Sequence, residues 1–570
     1  MLRLALLPTC LATVLAAAAA ATPALAHGHG RSALGKVDHI VVIYEENHSF
    51  DNLYGRWEGV RGLRSADAAH TTQVNQAGTP YTCLMQVDVN LTSPPLPASC
   101  TDTTTATTFK SAFPNAPFTI DKYIPATATT CPPPGPSSPA NGVPNGQGLP
   151  GGCTRDIVHR FYQEQYQLDG GKQDRYTTGS DAVGLTMGTY DTRALPIYEY
   201  LHQPGHPHYA IADDFFQAAF GGSFLNHQWL IAARTPTWPG ALNDGSADDL
   251  HSVVDANGMP NTYPLYKPLS AVRDSQLTAS CSPGPGRGPT PPGTTCGDYA
   301  VNTTQPAYQP YQPGTAASRR LPPQTAPTIG DELSAKGVDW AWYSGGWSNA
   351  DGDVGAPGWT NGTGPNCSDP NARTDATFPN CPDNLFQFHH QPFNYFASFA
   401  PGTAARAQHL RDEAEFLRLA GASSKSCELK PVSFIKPIGA ENEHPGYASE
   451  SQGSDHLVQL LQAIEGGRCA KRTMVIVTYD EFGGQWDHVS PPGQGGTPGP
   501  HDQWGPGTRV PALVVSPRLH GPFVVDHAQH DTTSILATIE HRWGVAALGS
   551  RDAAVKDLST AFAASAPSKK

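Results

Sequence analysis

The sequence predicts an α/β fold: a central, mostly parallel sheet with helices on both faces and long loop insertions. Three observations carry this. Short β-branched runs alternate with helix-period runs. Two of the β-branched runs end abruptly in polar clusters, as strands do where an open sheet meets its ligand. Proline- and glycine-rich blocks separate the periodic segments, and the two residue types together approach a fifth of the chain (57 Gly and 54 Pro in 570 residues).

In chain order, Met1-Leu-Arg3 is a short basic start, Leu4 to Ala21 is largely apolar, and Ala24-Leu-Ala26 fits a signal-peptidase site. Residues 1–26 are expected to be an export signal without a twin-arginine pair, and 27–570 a single domain. Strands are expected at Val37–Tyr44, Val338–Tyr343, Val432–Ile435, Met474–Tyr479 and Val510–Val515. Helices are expected at Leu195–His202, Phe224–Arg234, Ala404–Ala420, Asp455–Ile464 and Thr532–Trp543. The blocks Gly78–Gly152, Ser280–Pro327 and Pro491–Gly507 are too proline-dense for regular ladders and helices, and those near 78–152 and 280–327 read as insertions. No later segment is long and apolar enough to cross a bilayer, so no transmembrane anchor is expected and the protein is periplasmic or secreted.

Cysteine usage agrees with export. Cys10 leaves with the signal, and Cys83, Cys100, Cys131, Cys153, Cys281, Cys296, Cys367, Cys381, Cys427 and Cys469 remain. An even set in an oxidising compartment implies disulfides, and sequential pairing is expected because the first eight fall into close neighbours; free buried thiols are the alternative. A formal charge of −13 with scattered acids argues against nucleic acid and against electrostatic capture by anionic membranes.

The chemistry sits at two strand ends. Val37–Tyr44 empties into Glu45-Glu-Asn-His-Ser-Phe-Asp-Asn52, and Met474–Tyr479 into Asp480-Glu-Phe-Gly-Gly-Gln-Trp-Asp-His488. Taken alone, Asn47, Ser49 and Asp51 also fit a turn that caps a helix. Adjacent carboxylates at a strand end repel unless a cation or a shared proton offsets them. Glu46, Asn47, Asp480 and Glu481 together form an oxygen-rich site for one divalent ion, with calcium, magnesium and manganese all admissible. In Phe220-Gly-Gly-Ser-Phe-Leu-Asn-His227 the paired glycines permit a sharp turn into a helix. That puts Ser223 at a helix N-terminus, where an anion is favoured and a hydroxyl can act as nucleophile or as an ordinary cap. His159, His389, His390 and His444 stand in contexts suited to holding a phosphoryl group or moving a proton, though single histidines are commonly structural. Protonated, they would favour activity at mildly acidic pH. His488, His527 and His530 read as structural, and His48 and Asp51 likewise. There is no HExxH, P-loop or Gly-x-Ser-x-Gly segment.

These segments resemble the bacterial phosphoesterase family that contains secreted phospholipases C and acid phosphatase A and is related to alkaline phosphatases. Glu46-Asn-His-Ser-Phe-Asp-Asn-Leu-Tyr-Gly55, Asp169-Gly-Gly-Lys-Gln-Asp174, Thr186-Met-Gly-Thr-Tyr-Asp191, Gly221-Gly-Ser-Phe-Leu-Asn-His227, Glu443-His-Pro445 and Asp480–His488 carry the likeness. The resemblance implies an alkaline-phosphatase-like fold. It further implies one metal held by Glu46, Asn47, Asp480 and Glu481, a nucleophilic Ser223 that also touches the metal, and His159, His389, His390 and His444 around the phosphate. Ser223 followed by Phe-Leu-Asn-His and the His389-His390 pair look like the acid phosphatase branch, since the phospholipase C branch typically has threonine followed by Pro-Asn-Arg. The expected function is an exported, metal-dependent acid phosphatase acting on phosphomonoesters. The alternatives are a phospholipase C cleaving phospholipid diesters and a non-catalytic binding protein whose loops a metal orders.

Overall fold

The computed structural model describes residues 32–86, 96–124, 154–284, 288–373, 377–378, 380–421 and 426–567. The expected export signal, Cys131 and Cys153 lie outside these residues. Eight strands form one sheet: β1 (His39–Glu45), β2 (Tyr209–Ala212), β3 (Trp340–Ser344), β4 (Leu410–Asp412), β5 (Val432–Lys436), β6 (Thr473–Tyr479), β7 (Ala512–Val515) and β8 (Phe523–Asp526). Their spatial order is β4-β3-β5-β1-β6-β7-β2-β8. Only β7 runs antiparallel to its neighbours; every other pairing in this sheet is parallel.

The sheet reads this way because its central strands are apolar throughout rather than alternating. All seven residues of β6 and all but His39 of β1 are buried, as a sheet covered on both faces requires. Eight helices are used below: α1 (Phe161–Leu168), α2 (Pro196–His202), α3 (Ser223–Ala232), α4 (Ile329–Ala335), α5 (Ala404–His409), α6 (Glu413–Ala420), α7 (Glu450–Gly466) and α8 (Thr533–Trp543). They pack as two groups: α2 and α6 against α7, and α4 and α8 against α3.

The α/β class and the mostly parallel sheet are as expected, with three local differences. The run Ala404–Ala420 is not one helix. Leu410–Asp412 interrupts it to pair with β3 at the sheet edge, and Asp412 then caps α6 by accepting from Ala414 N at 3.0 Å. Strands β2 and β8, of four residues each, were too short to stand out as periodic runs. The proline-rich block after residue 78 is also not ladder-free, since Cys83–Leu84 pairs with Phe113–Pro114 and Cys100–Asp102 with Phe109–Ser111. Four disulfides join sequential cysteines: Cys83–Cys100, Cys281–Cys296, Cys367–Cys381 and Cys427–Cys469. Three of them close short loops within irregular segments, where a small apolar core leaves the chain in need of a staple.

Several ionisable groups are fully enclosed. Glu164 on α1 accepts from Gly221 N (2.5 Å) and Thr508 N (2.7 Å), and burial pushes it up to about 7. Burial pushes Glu450 up to about 8 and pushes His48 down to about 4. A carboxyl raised in this way stabilises the fold fully below its unfolded value near 4.5 and stops doing so as pH rises through 7 to 8. The lowered histidine works oppositely, contributing fully above 6.5 and losing its contribution as pH falls through about 4. From these three groups the unfolding free energy should therefore fall by roughly 2 kcal/mol between about pH 5 and 6.5, where two raised carboxyls outweigh one lowered histidine, and by roughly 3 kcal/mol more toward pH 8.5. Urea unfolding at pH 6.5 and 8.5 measures this, and a midpoint that rises with pH over that interval would contradict it.

Candidate active site

Parallel pairing sets the site. Tyr44 is level with Thr478 and Glu45 with Tyr479, so β1 and β6 finish side by side and deliver Glu46-Asn47 and Asp480-Glu481 to the same place. The two turns are locked together. Asn47 N donates to Asp480 Oδ1 at 3.1 Å, and Glu481 N donates to the same oxygen at 2.8 Å. Gly483, at φ +62°, closes the second turn so tightly that a Cβ would lie 2.2 Å from Asn47 O. Asn47 itself is left-handed at φ +60°, a conformation that asparagine tolerates better than most residues.

Ser223 is the first residue of α3, after Gly222 at the cap position. Its Oγ lies 3.2 Å from Glu46 Oε2 and 3.3 Å from Glu481 Oε1, and only 3 % of the residue is exposed. Gly222 is required here because a Cβ would sit 2.9 Å from His159 O, which lets the start of α3 dock against the His159 segment. His159 Nε2 in turn lies 3.4 Å from Glu481 Oε1. His390 Nδ1 is 3.3 Å from Glu46 Oε1, and His389 lies edge-on to His390 with ring centroids 4.3 Å apart. His444 holds its Nδ1–H on Pro445 O at 2.8 Å, so Nε2 is left to accept from Asn47 Nδ2 at 3.1 Å. The fold thus brings all nine sequence-predicted residues into one cluster.

Two members were not anticipated. Lys436, the last residue of β5, is buried; its Nζ donates to Tyr44 O at 2.8 Å and pairs closely with Glu46 Oε1. His227, one turn along α3 from Ser223, donates from Nδ1 to Ser223 O at 2.8 Å and stacks on His390 at 4.8 Å. Its position four residues after Ser223 was the available signal, whereas a lone lysine closing a short strand gave none.

Burial first, and Asp480 second, push the Glu46 and Glu481 carboxyls well above the usual range, and burial raises Asp480 too. Asn47 Oδ1 and Asp480 Oδ2 are buried acceptors without a hydrogen-bond partner, which a cation would satisfy. The predicted oxygen donors therefore fit a divalent ion, and Glu46, His227 and His390 also bring ligand atoms within 4.8 Å of one another. Burial pushes His389 down to about 3 and His390, His444 and His227 well below the ordinary imidazole range. This corrects the expectation of standing imidazolium groups at His389, His390 and His444, where burial disfavours the charged form.

Around this core lies a supporting network. Buried Arg509 reaches Asp487 at 3.1 Å and Asp51 at 3.2 Å, and Asp51 also meets His488. His527 pairs with Asp213, and His530 meets Ser534 and Lys556 O. His48 meets Asn52 Oδ1 and Glu443 O, so each of His48, Asp51, His488, His527 and His530 has a partner within the protein.

The model of the Phosphoesterase family matches residues 37–546, so the chain belongs to that family, whose reaction is the hydrolysis of phosphoester bonds. It is similar to Phospholipase C A of Mycobacterium tuberculosis, 25% identical over 93% of this chain and 78% of the relative. Phospholipase C B of the same organism is 34% identical over 26% of this chain, a match that spans about a third (32%) of that relative's length. Non-specific phospholipase C6 of Arabidopsis thaliana is 31% identical over 19% of this chain and 22% of the relative.

Lys436 offsets the Glu46 carboxylate at a buried position. Replacing it in Lys436→Met leaves that charge without its partner, and breaking a buried pair in this way costs about 3–5 kcal/mol. The urea midpoint of chelator-treated protein should fall accordingly, and an unchanged midpoint would show that the pair carries no net stability.

Proposed function

We propose that this protein is an exported, metal-dependent phosphoric ester hydrolase that acts on phosphomonoesters through Ser223. The single observation that carries the reading is the Ser223 hydroxyl, held at the N-terminus of a ten-residue helix and within hydrogen-bond reach of both Glu46 and Glu481. A helix start favours an anion, and a serine fixed there faces the phosphorus of any phosphate so bound. Export is supported by the signal-like start and four disulfides, and no helix among the described residues is long and apolar enough to cross a membrane.

A divalent cation held by Glu46, Asn47, Asp480 and Glu481 would offset their charge and ease ionisation of the neighbouring hydroxyl. Ser223 Oγ attacks phosphorus in line, forming a P–O bond as the ester P–O bond breaks, and its proton passes to the Glu481 carboxylate 3.3 Å away. His159, in contact with Glu481, protonates the departing alkoxide and then takes a proton from the water that attacks phosphorus, while the Ser223 Oγ–phosphorus bond breaks and Glu481 returns the proton to Ser223 Oγ. The N–H groups of the first turn of α3 and Lys436 hold the developing negative charge. His389, His390 and His227 line the anion's side of the site, while His444 orients Asn47.

A second reading, cleavage of phospholipid diesters, is favoured by the names of the relatives, which are phospholipases C. The enclosure of Ser223 favours small monoesters over it. Assaying an aryl phosphate and phosphatidylcholine with one preparation separates the two.

Ser223→Ala should lose about a thousand-fold or more in kcat while unfolding like wild type; near-wild-type hydrolysis of an aryl phosphate by that variant would sink the mechanism. Exhaustive chelation should silence the enzyme, and readdition of a divalent ion should restore it. Full activity after metal removal would count against the Glu46/Asp480 site.

A further inference from the structure

Glu45 and Glu46 are consecutive at the end of β1, and successive side chains there leave opposite faces of the sheet. Glu46 goes to Ser223. Glu45 goes the other way, toward Glu413, Glu441 and His456, a cluster with no part in the chemistry described above. His456 Nε2 lies 2.6 Å from Glu413 Oε1 and 3.8 Å from Glu441 Oε2, and the three residues bring ligand atoms within 4.8 Å of one another. They come from three separate elements: Glu413 opens α6, Glu441 lies in the loop after β5, and His456 is on α7. Glu413 and His456 are buried, whereas the Glu441 side chain is 40% exposed and leaves an entry path.

A buried Glu–His pair alone would be an ordinary ion pair. The independent observation is Glu45. It is fully buried, neither of its carboxylate oxygens has a hydrogen-bond partner, and it interacts electrostatically with Lys436 first and then with His456, Glu413 and Glu441. Glu413 Oε2 is likewise buried and unpartnered. Buried carboxylate oxygens without donors, here both of Glu45 and Oε2 of Glu413, require a cation or protons.

We infer that Glu413, Glu441 and His456, backed by Glu45, form a second divalent-metal site separate from the Ser223 centre. One imidazole among carboxylates suits zinc or manganese, since calcium and magnesium prefer all-oxygen ligand sets. The ion pins the loop after β5. That loop matters to the first centre, because Asn442 O accepts from Glu46 N at 3.1 Å and His444 bonds Asn47. The second ion therefore acts as a positioning element, and its existence does not depend on Ser223 being a nucleophile.

The test is metal content and location in chelator-stripped protein reloaded with zinc. Crystals of the reloaded wild type should show anomalous zinc density between Glu413, Glu441 and His456. Glu441→Gln, a change on a partly exposed side chain, should bind one zinc fewer than wild type by mass spectrometry and unfold at lower temperature in zinc but not in chelator. No density at the cluster, or equal zinc content in the two proteins, overturns the inference. Density confined to Glu46 and Asp480 overturns it as well, while leaving the first centre standing.

Discussion

The structure is organised around one electrostatic problem. Two adjacent parallel strands end level with each other and place Glu46, Asp480 and Glu481 together as fully buried side chains. Carboxylates about 6 Å apart repel by roughly 3 kcal/mol per pair even at an effective dielectric of ~20. Every nearby device reduces that repulsion or fixes its geometry. Lys436 brings a positive charge to Glu46. Asp480 Oδ1 takes two backbone N–H groups, from Asn47 and Glu481, and Gly483 N donates to Glu481 Oε2 at 2.5 Å. Two of their neighbouring acceptors are still left over, Asn47 Oδ1 and Asp480 Oδ2, and a cation would complete the set.

Holding three like charges together requires a rigid frame, and the long polar motifs provide it. The segment after β1 and the segment after β6 are joined a second time, away from the chemistry, by Arg509. It bridges Asp51 of the first motif and Asp487 of the second and lies over the Phe50 ring at 4.3 Å. Backbone strain is spent in the same places. Glu443 sits at φ +63°, with its carbonyl accepting from His48 Nε2 and its carboxyl on Tyr479, and the packed helix α7 leaves room for it only because residue 453 is glycine, whose Cβ would stand 2.4 Å from Glu443 N.

Much of this was legible in the sequence because strand ends and sharp turns announce themselves. The runs before Glu46 and before Asp480 are continuous and β-branched, and Gly221-Gly222 before Ser223 marks a close approach that the structure places against His159. The histidine pair was visible as a motif. What stayed hidden depended on tertiary placement. Lys436 reads as a solvated residue at the end of a strand until β5 is seen to pair with β1, which leaves it facing Glu46 with no route to water. Strand β4 lay inside a helical period because Leu410–Asp412 gains its pairing only from β3. Glu45 carries no signal of its own for a related reason: the groups it interacts with, Lys436 first, come from β5, α6, α7 and the loop after β5, all distant in sequence.

The neutral histidines bear on how an anion would be accepted. His227, His389 and His390 are held in the unprotonated form by burial first, then by Lys436 and by one another. That mutual repulsion is a property of the site without a negative charge at its centre. A phosphate dianion beside these rings favours their charged form, so its binding and proton uptake become linked, each strengthening the other. The proton is then drawn in with the anion rather than stored beforehand. Uptake of the proton together with an anion would spare the free protein buried imidazolium groups, which would have to be held beside Lys436 against both repulsion and desolvation.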